Sequence, residues 1–154
     1  MGCYTMSVLL GAELNPSLLD LFEKRITTVI LATLDENNCP HTAPFYYLVA
    51  SDPKHLRVAI SRNHQTFHNI TVNSNVAVSV VDEGDIAVCI KGSASVYLEN
   101  MESDYNMAVV DIEINQIKKD NWTSHFVTQG IRIRHRNEPA LIASRKIFQE
   151  LLKG

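Results

Sequence analysis

"LRVAISRNHQTFHNITVNSNVAVSVVD", residues 56–82, is the stretch that decides the fold. Its apolar beginning, 56–61, predicts a strand that enters a core, and its β-branched end, 75–82, predicts another strand. Between the two, residues 64–72 predict a short helix. The chain therefore passes from a buried strand through a polar turn into a helix, and then returns to the sheet.

The polar turn and the start of this helix carry a dense group of hydrogen-bonding side chains. They are Ser61, Arg62, Gln65, Thr66 and Asn69. Free backbone N–H groups and the helix dipole meet at such a point, so it can bind phosphate, and an arginine can add a bidentate clamp. An ordinary helix cap with a solvated surface produces the same pattern. The residues alone favour the cap and leave the phosphate site open.

Outside this stretch, the pattern predicts four more strands and two more helices. Pro44, inside one of these strands, indicates a sheet edge, a bulge or an opening of the ladder. Alternation in the two longest strands indicates one buried and one polar face. We therefore expect a mainly β fold in which six antiparallel strands close into a small barrel, since closure removes exposed edges. The six strands are predicted at 28–34, 41–49, 56–61, 75–82, 86–99 and 108–117, and the further helices begin at Asn15–Pro16 and at Glu138–Pro139.

The composition is that of an ordinary globular protein. The 154 residues suit a single domain over 1–154, and the 45% hydrophobic content is enough for a core. A net charge of -3 argues against nucleic-acid binding through bulk charge. No apolar run reaches the length of a membrane span. The first residues, "MGCYTMSVLLGAELNP", place no basic region before their apolar run and so do not predict a signal peptide.

The cysteines point to a reducing compartment. Cys3, Cys39 and Cys89 are odd in number, and their spacing matches neither a disulfide framework nor a zinc site. A cytoplasmic location is therefore expected.

Three further features allow both a functional and a structural interpretation. His64 and His68 have the spacing of metal ligands on a helix, but no third ligand is evident, so no metal site is predicted. Arg132 belongs to a run, 131–136, in which arginines alternate with other residues, as in an anion site or a solvated strand. Trp122 could cover a flat ligand or plug a core. No nucleophile motif is present, so the sequence names no catalytic residue.

Three segments, taken in order, carry a resemblance to a known family. They are "ATLDENNCPHTAPFYYLV" (32–49), the opening stretch (56–82) and "IAVCIKGSASVYLE" (86–99). Together they resemble the FMN-binding split-barrel family, the flavoproteins related to pyridoxamine 5'-phosphate oxidase. The resemblance covers about residues 28–121, and "DNWTSHFVTQGIRIR" (120–134) is similar to the tail of some members. It implies a Greek-key split barrel that forms a homodimer, with FMN in the two grooves between the subunits.

The resemblance also implies which residues hold FMN. The strand with "TAPFYY" would follow the flavin ring and ribityl chain through its backbone groups, the turn with "ISRNHQT" would hold the phosphate, and Asn69 would brace the helix. Family members often carry a lysine at or just before position 66, so Lys91 or Arg132 is expected to replace the missing charge. The implied cofactor-binding residues are Ala43, Pro44, Phe45, Tyr46, Ile60, Ser61, Arg62, Gln65, Thr66, Asn69, Lys91, Trp122 and Arg132.

The function that the resemblance implies is that of an FMN-dependent oxidoreductase acting on a small molecule. FMN supplies the electron chemistry, and the protein supplies position, electrostatics and exclusion of water. Oxidation of pyridoxamine phosphate itself is not expected, because the chain ends in an amphipathic helix, "SRKIFQELLKG" (144–154), in place of a basic segment. Two alternatives stay open: a non-catalytic flavin binder or electron-transfer protein, and a split barrel that binds haem or F420.

Overall fold

A computed structural model describes residues 8–25 and 27–153. Residues 1–7, which include Cys3 and begin the segment considered as a signal peptide, lie outside the described residues. Within the described part, eight strands and three α-helices follow one another. The strands are β1 (Val8–Gly11), β2 (Val29–Leu34), β3 (Pro40–Phe45), β4 (Leu48–Asp52), β5 (His55–Ser61), β6 (Asn75–Asp82), β7 (Ile86–Leu98) and β8 (Met107–Lys119). The helices are α1 (Pro16–Asp20), which a π-helical turn (Leu21–Arg25) extends, α2 (Gln65–Val72) and α3 (Glu138–Leu152).

The strands form one antiparallel sheet, which confirms the prediction of a mainly β fold. Their order is β3-β2-β6-β7-β8-β5-β4, and β1 pairs with β8 as well. Because β8 is long, its first half pairs with β5 and its last residues, 117–119, pair with β1. The predicted number of six strands is wrong: the described residues form eight.

One of the two extra strands comes from a break in the strand predicted over 41–49. β3 ends at Phe45 and β4 begins at Leu48, and these two strands lie at opposite ends of the sheet. The side chains of Phe45 and Leu48 both enter the same core. The apolar pattern therefore continues across Tyr46–Tyr47, where the chain crosses from one end of the sheet to the other. The edge interpretation of Pro44 is confirmed, since β3 is the last strand at its end of the sheet.

The sheet curves around a core without closing. β3 and β4 do not pair, contrary to the closed barrel expected from the sequence. The inner side chains of β2 to β8 nevertheless form one apolar cluster, which Leu18, Leu21 and Phe22 complete from the first helical segment. Helix α2 contacts β2, β3, β5 and β7 and adds Ile70 to the cluster. The start of α2 is therefore placed beside the inner face of the edge strand β3.

Both predicted helix starts have the capping chemistry that the sequence indicates. The side chain of Asn15 accepts a hydrogen bond from the N–H of Leu18 at 2.9 Å, and Asn137 accepts one from Ala140 at 2.9 Å. Helix α3 covers the outer face of β4, β5 and β8, where Phe148 and its neighbours form a second buried cluster. Among the helices of the described chain, none combines the length and the apolar character needed to cross a membrane.

Candidate functional site

The start of α2 is capped by the side chain of His64. Its Nδ1 atom accepts a hydrogen bond from the N–H of Thr66 at 3.1 Å, and its backbone oxygen accepts one from the N–H of Phe67 at 3.1 Å. The first N–H groups of a helix have no partner within the helix, and the imidazole of His64 satisfies one of them. The cap predicted from the sequence exists, and a histidine provides it.

Thr66 follows the cap and is fully buried. Its hydroxyl oxygen has no hydrogen-bond partner in the structure. Leaving a buried hydroxyl unpartnered costs about 1–3 kcal/mol, so natural proteins seldom keep one without a reason. The Thr66 hydroxyl is therefore an orphaned polar atom at a helix start.

Asn69, one turn further along, ties α2 to the sheet. It is fully buried, and its amide nitrogen donates to the hydroxyl of Thr33 on β2 at 3.0 Å. Its amide oxygen accepts a hydrogen bond from Gln65 Nε2 at 2.7 Å. Asn69 therefore orients the helix, and the Gln65 amide is engaged within α2.

Arg62 lies in the turn between β5 and α2. It is exposed, and its backbone N–H donates to the carbonyl of Asn106 at 2.9 Å, which fixes the turn. Ser61 is half-buried and accepts a hydrogen bond from the N–H of Asn63 at 3.4 Å. The structure therefore brings Ser61, Arg62 and Thr66 together around one helix start.

His41 belongs to the same cluster and is half-buried, although its place at the start of a strand beside Pro40 predicts a surface position. Its Nε2 atom is buried and has no partner. The ring centroid of His64 lies 6.5 Å from that of His41 and 5.3 Å from that of Phe45. The signal that could have found it is alternation, since His41 shares the inward face of β3 with Ala43 and Phe45.

The groups at this helix start fit a phosphate-bearing cofactor. Two buried atoms that lack partners, Thr66 Oγ1 and His41 Nε2, flank the His64 cap. A hydroxyl and an imidazole N–H can both donate to a phosphate oxygen. Arg62, exposed in the turn before α2, adds a positive charge near this helix start, and the helix dipole adds to it.

The strand residues of the predicted site divide between the core and the surface. The side chains of Ala43, Phe45 and Ile60 are buried in the main core, so only their backbone could contact a ligand. Pro44 is exposed at the sheet edge. Tyr46 follows β3, and burial together with the neighbouring Tyr47 raises the pKa of its phenol.

Lys91 and Arg132, expected to replace the missing lysine, lie near opposite ends of β6. Lys91 on β7 pairs in register with Ala77 and lines a cleft of about 490 Å³ on the outer face of the sheet. Arg132 contacts Asp82 at 3.0 Å and Glu83 at 3.4 Å. Asp82 lies five positions beyond Ala77 along β6, which is roughly 17 Å of strand. The two cations therefore do not flank one common site.

Asp82 is the centre of a second polar cluster, at the end of β6. Its carboxylate accepts hydrogen bonds from Thr27 Oγ1 at 2.6 Å, from the N–H of Glu83 at 2.7 Å and from Arg132 at 3.0 Å. Burial by itself raises the pKa of Asp82, but these three hydrogen bonds outweigh it and hold the pKa below its ordinary value. Arg132 is thus engaged with carboxylates and is not part of the cluster around Arg62.

Trp122 and the two α2 histidines complete the predicted set. Trp122 is 56% exposed, so the interpretation of it as a core plug is wrong. His68 Nε2 lies 2.6 Å from a carboxylate oxygen of Glu36, whereas His64 caps the helix. Within the described residues, no three side chains of His, Cys, Asp or Glu are grouped so that they could hold a metal ion.

The fold and this site define a class: antiparallel β proteins in which a helix start presents unpartnered buried donors beside an edge strand. The model of the pyridoxamine 5'-phosphate oxidase family matches residues 17–129. The chain belongs to this family, and the resemblance found in the sequence is confirmed.

Solved structures share the fold. A provisionally named pyridoxamine 5'-phosphate oxidase of Lactobacillus delbrueckii is 25% identical, with a TM-score of 0.62 over 71% of this chain and 97% of that chain. The haem storage protein HutZ of Vibrio cholerae is 15% identical, with a TM-score of 0.56 over 71% and 95%. An FAD-binding protein of Mesorhizobium loti is 16% identical, with a TM-score of 0.53 over 72% and 96%. No curated protein sequence matches this chain.

Proposed function

We propose that the protein is an FMN-binding flavoprotein of the split-barrel type and that the start of α2 holds the FMN phosphate. The observation that carries the proposal is the fully buried Thr66 hydroxyl, which has no partner at a helix start. Membership of the pyridoxamine 5'-phosphate oxidase family supports it. The named FAD-binding protein with the same fold is consistent with it.

Each residue of the cluster has a distinct part in this proposal. Arg62 binds the phosphate through its guanidinium, and Thr66 donates its hydroxyl. Ser61 supplies a further hydroxyl, while Asn69 positions the helix by holding it against Thr33 on β2. FMN, when bound, supplies the electron-transfer chemistry. The chain's own contribution is binding, orientation and exclusion of water.

We further propose that FMN lies between the subunits of a homodimer and serves an oxidoreductase acting on a small molecule. Two observations support a partner subunit. β3 is an edge strand, so its outer backbone groups pair with no described strand. The outer face of the sheet carries the cleft that contains Lys91 between small side chains such as Ala32 and Ala77.

Haem binding is the second candidate function. The observation that favours it is the pair His41 and His64, whose ring centroids lie 6.5 Å apart and of which His41 Nε2 has no partner. Imidazole is a common iron ligand. A haem storage protein, HutZ, has the same fold.

Two measurements test the proposal. The absorption spectrum of the purified protein separates bound flavin from haem, which gives a Soret band. Titration of the cofactor-free protein with FMN and with riboflavin isolates the phosphate, because the two ligands differ only in that group. We expect FMN to bind at least tenfold more tightly than riboflavin, because a hydrogen bond between the phosphate and an arginine contributes at least that much to affinity. Equal affinities for FMN and riboflavin would show that the start of α2 does not bind the phosphate.

A third measurement separates an oxidoreductase from a non-catalytic flavin binder. Bound flavin that is bleached by NADH or NADPH and then reoxidised with turnover of an acceptor identifies an enzyme. Flavin that binds tightly but is not turned over identifies a carrier or electron-transfer partner.

A further inference from the structure

Arg57 is a largely buried cation that has no part in the α2 cluster. It lies near the start of β5, where Leu56 and Val58 enter the main core, so alternation directs Arg57 to the outer face of the sheet. Its side chain is 12% exposed, and its Nε atom is buried without a hydrogen-bond partner. Burying an ionised group without a hydrogen bond is costly, so we expect an anion to satisfy this guanidinium.

The neighbours of Arg57 hold it in place without satisfying it. Its Cζ atom lies 4.0 Å from the centroid of the Tyr97 ring, which is a cation–π contact. Asp111 pairs with Arg57 in register on β8, but its carboxylate oxygen lies 3.9 Å from Nε, beyond hydrogen-bond distance. Burial raises the pKa of Asp111 above its ordinary value, although the charges of His55 and Arg57 act to lower it. Asp111 therefore compensates the guanidinium only in part.

Two cavities near the end of α3 share Arg57 in their lining, and they differ in charge. The first, of about 480 Å³, adds the carboxylates of Glu23 and Asp52, so its lining is net negative. The second, of about 260 Å³, adds Lys153 and Glu150, so its lining is net positive. An anion that approaches Arg57 is therefore disfavoured in the first cavity and favoured in the second.

The one carboxylate in the second cavity is already engaged. Glu150 accepts hydrogen bonds from the backbone N–H groups of Glu102 at 3.0 Å and Ser103 at 2.7 Å. The volume of about 260 Å³ is below the range for drug-sized ligands, so the cavity suits a small molecule. The rest of its lining is formed by the apolar side chains of Leu98, Val109 and Leu151 and by Tyr97.

We propose that this second cavity binds a small carboxylate that has an apolar body. The guanidinium of Arg57 can bind both carboxylate oxygens, and the apolar side chains pack on the body of the molecule. A single guanidinium balances the single charge of a carboxylate, whereas a phosphate dianion would keep an uncompensated charge. The proposal does not depend on FMN, because Arg57 lies four positions before Ser61 on β5, which is roughly 13 Å of strand.

The test compares three small aromatic probes that differ in charge: benzoate, benzyl alcohol and benzylamine. Each is titrated into the purified protein, with and without FMN, and the NMR shifts of the Leu98, Val109 and Leu151 methyl groups follow binding. We expect benzoate to shift these methyl groups and to bind about tenfold more tightly than benzyl alcohol, with benzylamine the weakest. Equal affinities for benzoate and benzyl alcohol would overturn the proposal, and so would displacement of benzoate by FMN.

Two variants locate the carboxylate. Arg57→Met removes the charge but keeps an apolar stem, so it should weaken benzoate binding about tenfold and leave benzyl alcohol unchanged. Lys153→Gln, at the exposed end of α3, should weaken benzoate about threefold. Lys146→Gln, an exposed lysine of the same helix outside the cavity, is the matched control and should have no effect. If Arg57→Met does not fold, the comparison of the two lysine variants decides. Benzoate affinity that is equal in Lys153→Gln and Lys146→Gln would exclude this cavity as the binding site.

Discussion

The start of α2 and the end of β6 both bury polar side chains, but they satisfy them differently. At the end of β6, the Asp82 carboxylate accepts three hydrogen bonds, of 2.6, 2.7 and 3.0 Å. At the start of α2, the hydroxyl of Thr66 and the Nε2 atom of His41 have no partner. Arg62, in the turn that leads into α2, is exposed.

This difference separates a structural role from a binding role. A buried carboxylate with several donors stabilises the fold, because its desolvation is offset by hydrogen bonds. Buried polar atoms without partners destabilise the fold, and they persist where a ligand satisfies them. Substitutions around Asp82 at the end of β6 should therefore change stability. Substitutions at the start of α2 should change ligand affinity.

The largest effect on stability is expected for Asp82→Ala. Removing the carboxylate leaves the buried Thr27 hydroxyl unpartnered and releases Arg132, so we expect the free energy of unfolding to fall by about 3 kcal/mol. Urea denaturation measures this. Glu83→Ala in the same turn is the control and should stay within about 0.5 kcal/mol, since that side chain is exposed. Equal losses in the two variants would contradict a special role for Asp82.

Arg62→Ala should have the largest effect on the ligand. We expect FMN affinity to fall by about 1.5–3 kcal/mol, the range for a hydrogen bond to a charged group, while the free energy of unfolding changes by less than about 0.5 kcal/mol. Quenching of flavin fluorescence during titration follows the affinity. Arg136→Ala, another exposed arginine, is the matched control. Flavin retention that is the same in both variants would exclude Arg62 from the site.

Thr27→Val tests the Asp82 cluster through pH. The pKa of Asp82 lies below its ordinary value in the folded protein, so its contribution to stability is present above the unfolded pKa of about 3.9 and is lost as the pH falls through the folded pKa. The variant should lose about 1.5 kcal/mol at pH 6 and less at pH 3. Urea denaturation at both pH values gives the comparison. A loss that is larger in acid has the wrong sign for this mechanism.

Thr66→Val should have the smallest effect and separates the two roles most sharply. Because the hydroxyl has no partner, the free energy of unfolding should stay constant or rise by up to about 1 kcal/mol, while FMN affinity falls by about 1 kcal/mol. Thr33→Val is the matched control: its hydroxyl accepts from Asn69, so it should lose about 1–3 kcal/mol of stability. A Thr66 variant that is destabilised as much as the Thr33 variant would assign Thr66 to the fold alone.

The sequence predicted the local elements well because their causes are local. The fourth predicted strand, 75–82, coincides with β6, and the helix predicted over 64–72 differs from α2 only in that His64 is the cap. The donor cluster at the start of α2 was visible for the same reason, since its members lie within nine residues of one another. His41 was predicted at the surface because its position beside His64 depends on how β3 packs against α2, which the sequence does not show.

The amino-acid sequence by itself indicated most of the strands, the capped helices and the placing of a donor cluster at a helix start. Alternation of apolar side chains and the chemistry of caps act over a few residues, so they can be read along the chain. The tertiary structure alone decided the crossing at Tyr46–Tyr47, the open sheet, and the pairing of Arg132 with Asp82 fifty residues earlier. These features depend on which strand edges and which distant charges meet when the core forms, and no short segment carries that information.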